Sequence, residues 1–238
     1  MRIRLHTIFA CLLCLCTVFC FASKNQEAFL LANKLYQEKQ YKKAFDLYAS
    51  IKNKGYATFF NMGNCAFCLE NTVDAILYWN KAKKVAPWSK YEAIDYNIAI
   101  AYDQLEICPD ETFIDELYMI LNLFSLFSLQ IVFLLFWFCF FLSFFLLKRL
   151  RTLILSVFLC FSICMSVILM LKYQTRNYPM ALVKSSILML SGPNKNFHEI
   201  AKLSAADKVI VQKMHKNWYK IKRGGVTGWI LSDGVEII

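Results

Sequence analysis

Cys65 and Cys68, three residues apart, are the most concentrated reactive chemistry in the sequence. A C-x-x-C pair can exchange disulfides when a thiol pKa is lowered, or it can supply half of a four-ligand zinc site. Nothing nearby completes either use: no strand-like run precedes the pair, and no second Cys or His pair lies close in the sequence. The expected role is two small side chains buried where helices touch. Cys108 makes the cysteine count outside the apolar blocks odd, so no disulfide framework is expected. His198 and His215 are the histidines beyond the first 22 residues, and neither sits in a recognisable nucleophile context. No HExxH, Gly-rich phosphate loop or paired-carboxylate motif occurs. The expectation is therefore binding without catalysis, with no metal and no cofactor.

Binding residues need elements to hold them, and composition divides those elements into three parts. Apolar types make up 58% of the 238 residues and charged types 18%, against about 25% charged in an ordinary soluble domain. The net charge of +10 is uneven. Residues 23–116 hold eleven lysines against thirteen acids, whereas residues 172–238 hold eleven bases against four acids. A single soluble globule is excluded. At the start, Arg2 and Arg4 precede an apolar run from Leu5 to Phe21 and small residues at Ala22 and Ser23, which reads as a signal peptide over 1–22.

No charge occurs in the 31 residues after Glu116 or in the 20 after Arg151. A hydrocarbon core about 30 Å thick needs roughly 20 apolar helical residues. Residues 152–171 therefore fit one crossing. Residues 117–147 exceed it, so their early part is expected in the interface. Lys148, Arg149 and Arg151 crowd the connection 148–151, while Asp110, Glu111, Asp115 and Glu116 flank the other end. Short basic loops stay cytoplasmic. This predicts a bacterial inner-membrane hairpin with residues 24–106 and 180–238 both on the periplasmic side. Nucleic acid is excluded as a partner there.

Over 24–106 apolar residues recur at helical spacing, and the pattern nearly repeats. Phe59, Met62, Gly63, Ala75, Trp79, Ala82 and Pro87 form one unit, and Ala28, Leu31, Ala32, Leu35, Tyr41, Ala44 and Tyr48 form an earlier one. A further helix, Tyr91–Leu105, carries Ile98, Ala99 and Tyr102 at matching positions. These residues resemble the tetratricopeptide repeat, although Ala32 to Gly63 spans 31 residues where that family uses 34. The resemblance implies helical hairpins with a concave, partner-binding groove faced or bordered by Asn33, Phe60, Asn61, Asn64 and Phe67. Asn33 and Asn61 fall where carboxylate-clamp repeats hold a peptide C-terminus. The clamp's cation positions are occupied by Phe29, Tyr96 and Ile100, so a carboxylate clamp is not expected.

Over 180–238 the texture changes to short alternating runs: Ala181–Val183, Ile187–Leu190, Val209–Val211, Trp218–Ile221 and Gly228–Ile230, with turns at Ser191–Gly192–Pro193, Lys216–Asn217 and Arg223–Gly224–Gly225. Five or six strands at this spacing predict a small all-β barrel. The order of features resembles a bacterial SH3-like domain, departing from it at Ala206–Asp207 where a glycine is usual. Asp207 is expected to adopt that turn through its own side chain. Trp218 and Trp229 are expected to staple the core, with a ligand surface as the alternative. The whole order resembles the BatE proteins of the Bacteroides aerotolerance group. That resemblance implies a scaffold whose partners are other membrane or periplasmic proteins, von Willebrand factor type A-like ones among them. A peptidoglycan-binding anchor acting through the barrel is the alternative.

Overall fold

The computed structural model describes residues 24–108, 121, 124–146 and 151–238. The expected signal peptide over 1–22, the four acids from Asp110 to Glu116 and the connection at 148–150 lie outside the described residues. The chain forms two compact units, one of residues 1–108 with Ile238, the other Pro109–Ile237.

The first unit is helical: α1 (24–37), α2 (Tyr41–Ser50), α3 (Tyr56–Cys68), α4 (Thr72–Val85) and α5 (Tyr91–Gln104). Each helix packs on the next, and small residues allow the close approach. Ala32, Ala44, Ala75 and Ala82 are fully buried. Gly63 lies under the Trp79 ring, where a Cβ would come within 2.5 Å of indole atoms. Short turns return the chain, so Thr72 at the start of α4 meets Gln104 at the end of α5.

The helix ends reveal a repeat. Seven residues after each of Ala32, Gly63 and Ala99 stands a left-handed residue: Lys39 (φ 60°), Glu70 (φ 62°) and Glu106 (φ 55°). The following N–H donates to a carbonyl five residues back: Gln40 to Leu35 at 2.9 Å, Asn71 to Ala66 at 2.9 Å and Ile107 to Tyr102 at 3.1 Å. This is the six-to-one bond of a Schellman stop. The same device at the same offset makes α1, α3 and α5 equivalent. None of the three residues is the glycine that relieves a left-handed backbone. Glu70→Gly is therefore expected to stabilise the unit by about 1 kcal/mol, read as a higher urea midpoint of the helical circular-dichroism signal.

The second unit contains two helices long and apolar enough to cross a membrane, within Leu126–Leu146 and Arg151–Asn177. Aromatic rings line their contact, with Phe136 stacked on Phe161 at 3.7 Å and Phe140 on Phe158 at 3.8 Å. Leu134, Leu135, Phe138, Leu153, Leu159 and Met170 face outward. The first of these helices begins at Leu126, and residues 117–120, in the part expected in the interface, lie outside the described residues. The second continues through Lys172–Asn177, beyond the uncharged stretch, because nothing there breaks a helix before Pro179.

The C-terminal strands are β1 (Met180–Val183), β2 (Ile187–Leu190), β3 (Glu199–Leu203), β4 (Lys208–His215), β5 (Trp218–Arg223), β6 (Val226–Leu231) and β7 (Val235–Ile237). They form one antiparallel sheet in the order β3-β2-β6-β5-β4-β1-β7. Its core is Ala181, Val183, Met189, Leu203, Val209, Val211, Ile221, Ile230 and Val235. The expected glycine substitute at the turn before β4 is Ala206, not Asp207: Ala206 carries the positive φ of 66°. Asp207 acts through its carboxylate. One oxygen accepts the Ser204 N–H at 2.7 Å, and the other pairs with the Arg223 guanidinium at 2.8 Å.

Candidate functional site

In the helical unit, the equivalence of α1, α3 and α5 aligns side chains in rows. Phe29, Phe60 and Tyr96 occupy one row, and Asn33, Asn64 and Ile100 the next. Helical spacing places the two rows on one face. The asparagines are tied inward. Asn33 Oδ1 accepts from Tyr48 Oη at 2.5 Å and from Asn61 Nδ2 at 3.1 Å, and the same Asn61 group donates to Tyr48 Oη. Tyr48 is buried, so this triangle joins α1, α2 and α3 inside the unit. Asn64 Oδ1 accepts the Trp79 Nε1–H at 3.0 Å. These carbonyls serve the fold, and aromatic surface dominates what the face offers outward. Phe60 and Phe67 are half-buried, with Phe67 against Trp79 at 5.6 Å, while Tyr96 is 68% exposed.

The Cys65 and Cys68 thiols differ in setting. Cys65 is buried among Ala32, Ala44, Tyr48 and Met62, and burial pushes its thiol up to about 12. Cys68 is exposed, with Tyr36 Oη 3.8 Å from its sulfur. Among the described residues no three His, Cys, Asp or Glu side chains group as a metal site requires. In the unfolded chain the Cys65 thiol ionises near its ordinary value of about 8.5. Its raised folded-state pKa therefore contributes stability that is complete below that value and falls as pH rises toward about 12. The expected result is a urea midpoint that declines above about pH 9, and less steeply in Cys65→Ala. Alkylation at neutral pH should modify Cys68 and spare Cys65.

On the sheet, Trp218 and Trp229 are half-buried and stand apart from the core cluster. The core expected around them is built from smaller aliphatic residues. Register explains where they go. Trp218 lies opposite His215 on β4 and Leu231 on β6; Lys220 lies opposite Lys213 and Trp229. Directly opposed residues share a face, and Ile221, next after Lys220, points the other way into the core. The outer face of β4-β5-β6 therefore carries both indoles, His215, Lys213 and Lys220 together. The His215 and Trp229 rings meet nearly perpendicular at 6.4 Å. Indole faces stack on flat apolar or sugar rings, and the ammonium groups attract anions. His198 is used locally, with Nδ1 3.0 Å from Ser191 Oγ across the β2–β3 loop.

A small antiparallel sheet whose turns lie at these points is the SH3-like class. Residues 189–236 match the bacterial SH3 domain family, so the C-terminal part of the chain contains that domain, with β1 lying just before the matched stretch. No curated protein matches the chain. Sequence reasoning brought out both tryptophans but not Lys213, Lys220 and His215 beside them. Pairing the β4 and β5 runs across Lys216–Asn217 was the signal that could have found them.

Proposed function

We propose that the chain is a non-enzymatic scaffold of the bacterial inner membrane, with a helical partner-binding module and an SH3 domain held on the periplasmic side of one membrane hairpin. The observation that carries it is the placement of a bacterial SH3 domain directly after two membrane-length apolar helices, on a chain that also bears a repeated helical module. The recurring Schellman stops favour the tetratricopeptide resemblance, and the order of parts resembles that of the BatE proteins. An apolar partner surface suits the aromatic row Phe29, Phe60 and Tyr96 better than a charged ligand does, and the resemblance makes von Willebrand factor type A-like membrane proteins the expected partners. Photo-crosslinking from Phe60 and Tyr96 in intact membranes, with mass spectrometry of the adducts, tests this. Protein adducts from both positions are expected; none from either defeats the scaffold reading.

The second reading, a peptidoglycan-binding anchor, is favoured by two indoles lying outside the barrel core. Co-sedimentation of the detergent-solubilised chain with purified sacculi tests it. Retention lost in Trp218→Ala and Trp229→Ala supports the anchor; sedimentation equal to a sacculus-free control ends it.

A further inference from the structure

The β4–β5 hairpin carries this inference, through the direction in which it runs. The second apolar helix ends at Asn177, and β1 begins at Met180. Only Tyr178 and Pro179 intervene. The Pro179 carbonyl accepts the Val211 N–H at 2.9 Å, so β4 passes the junction at Val211. β4 is antiparallel to β1, with Met180 opposite Ile210 and Leu182 opposite Lys208. Its last four residues therefore overshoot the start of β1 by about 13 Å, back past the point where the chain leaves the helix. The uncharged stretch of the helix ends at Leu171, six residues before the helix does, a rise of about 9 Å. With β1 continuing along the helix axis, the overshoot exceeds that rise, and the hairpin tip has the reach to return to the level at which the apolar stretch stops.

The tip is composed for such a place. Lys213, Met214, His215, Lys216 and Asn217 are exposed, with Met214 at 52%, and Lys216 takes the left-handed turn position at φ 51°. Trp218, Lys220, Trp229 and Leu231 continue the same outer face. The hydrogen bond from Ser232 N to Asn217 O brings Asp233 near the tip, so three lysines stand with one acid. Indoles prefer the headgroup level of a bilayer, and lysines near the surface are drawn to anionic lipid.

We propose that the β4–β5 hairpin tip and the adjoining Trp218–Trp229 face dock the SH3 domain onto the anionic phospholipid headgroups of the membrane that this chain's own apolar helices span. The inference rests on the membrane reading of those helices. A domain docked this way turns both indoles toward lipid rather than toward the cell wall.

The test is hydrogen exchange of the full chain in nanodiscs of phosphatidylcholine, alone or mixed with phosphatidylglycerol. Protection of the amides within Leu126–Leu146 and Arg151–Asn177 in both discs reports the membrane reading separately; their free exchange overturns that reading and the docking with it. The expected result is exchange at residues 213–220 and 229–231 slowed by at least about tenfold when phosphatidylglycerol is present. The combined variant Lys213→Glu, Lys216→Glu, Lys220→Glu should lose this slowing, while exchange of the β1 and β4 core amides stays unchanged and shows the domain folded. Protected helices with tip exchange indifferent to lipid charge overturn the docking alone. So does a tip protected only when soluble muropeptide is added, which would assign the face to the cell wall.

Discussion

Gly63→Ala is expected to destabilise the helical unit by about 2 kcal/mol, even though the same change in an open helix stabilises by about 1 kcal/mol. The new methyl carbon would sit 2.5 Å from Trp79 Cδ1 and Nε1. The indole has little freedom to yield. Its Nε1–H is held by Asn64 Oδ1, Phe67 packs against its ring, and its side chain is 3% exposed. Relief requires either breaking that hydrogen bond or separating α3 from α4. Larger residues such as valine should leave the unit unfolded at ambient temperature. Urea unfolding followed by the helical signal gives the answer, and a neutral or stabilising Gly63→Ala would refute the packing described. Combining Gly63→Ala with Trp79→Leu should recover part of the loss, because the two positions share one space.

Asp207→Ala is expected to cost the SH3 domain about 3 kcal/mol. Asp207 is 7% exposed, and its carboxylate serves two elements at once: the turn before β4, through the Ser204 N–H, and β5, through Arg223. Truncation removes both acceptors at once, leaving the Ser204 N–H of the turn and the one-third-exposed Arg223 guanidinium without them. Asp207→Asn keeps an oxygen for Ser204 and gives up the charge, so roughly half the loss is expected. Added salt should weaken the Arg223 part of the effect, since that guanidinium is one-third exposed, and leave the Ser204 part nearly unchanged. Hydrogen exchange of the β4 and β5 amides reads this domain without interference from the helical unit. Equal protection in wild type and Asp207→Ala would dispose of the latch.

Helix periodicity made most of the first unit legible. Ala32, Ala44 and Gly63 were readable as contact points because small residues recur among apolar ones at helical spacing. The stops were not readable, since Lys39, Glu70 and Glu106 carry a left-handed backbone without being glycine. The asparagine rows were found by pattern, but their inward bonds depend on where Tyr48 and Trp79 arrive from neighbouring helices. In the sheet, β3 escaped notice because Glu199–Leu203 is an edge strand, mostly exposed, with only Leu203 buried. β7 is three residues long and hides behind the turn at Ser232–Gly234. Trp218 and Trp229 are expected to staple the core, with a ligand surface as the alternative; strand register puts them on the outer face, because Ile221 and Ile230 take the inward positions.

The junction at Tyr178–Pro179 has a mechanical consequence. Tyr178 N bonds back to Gln174 O, and Pro179 O is taken up by Val211 N, so hydrogen bonding runs from helix to sheet almost without a gap. Each residue of an α-helix turns its azimuth by about 100°. A single residue inserted after Lys172 should therefore swing the whole barrel about the helix axis by roughly that angle, and an insertion of about seven should bring it back into phase. The barrel is geared to the helix, and which way it faces is written in helical phase.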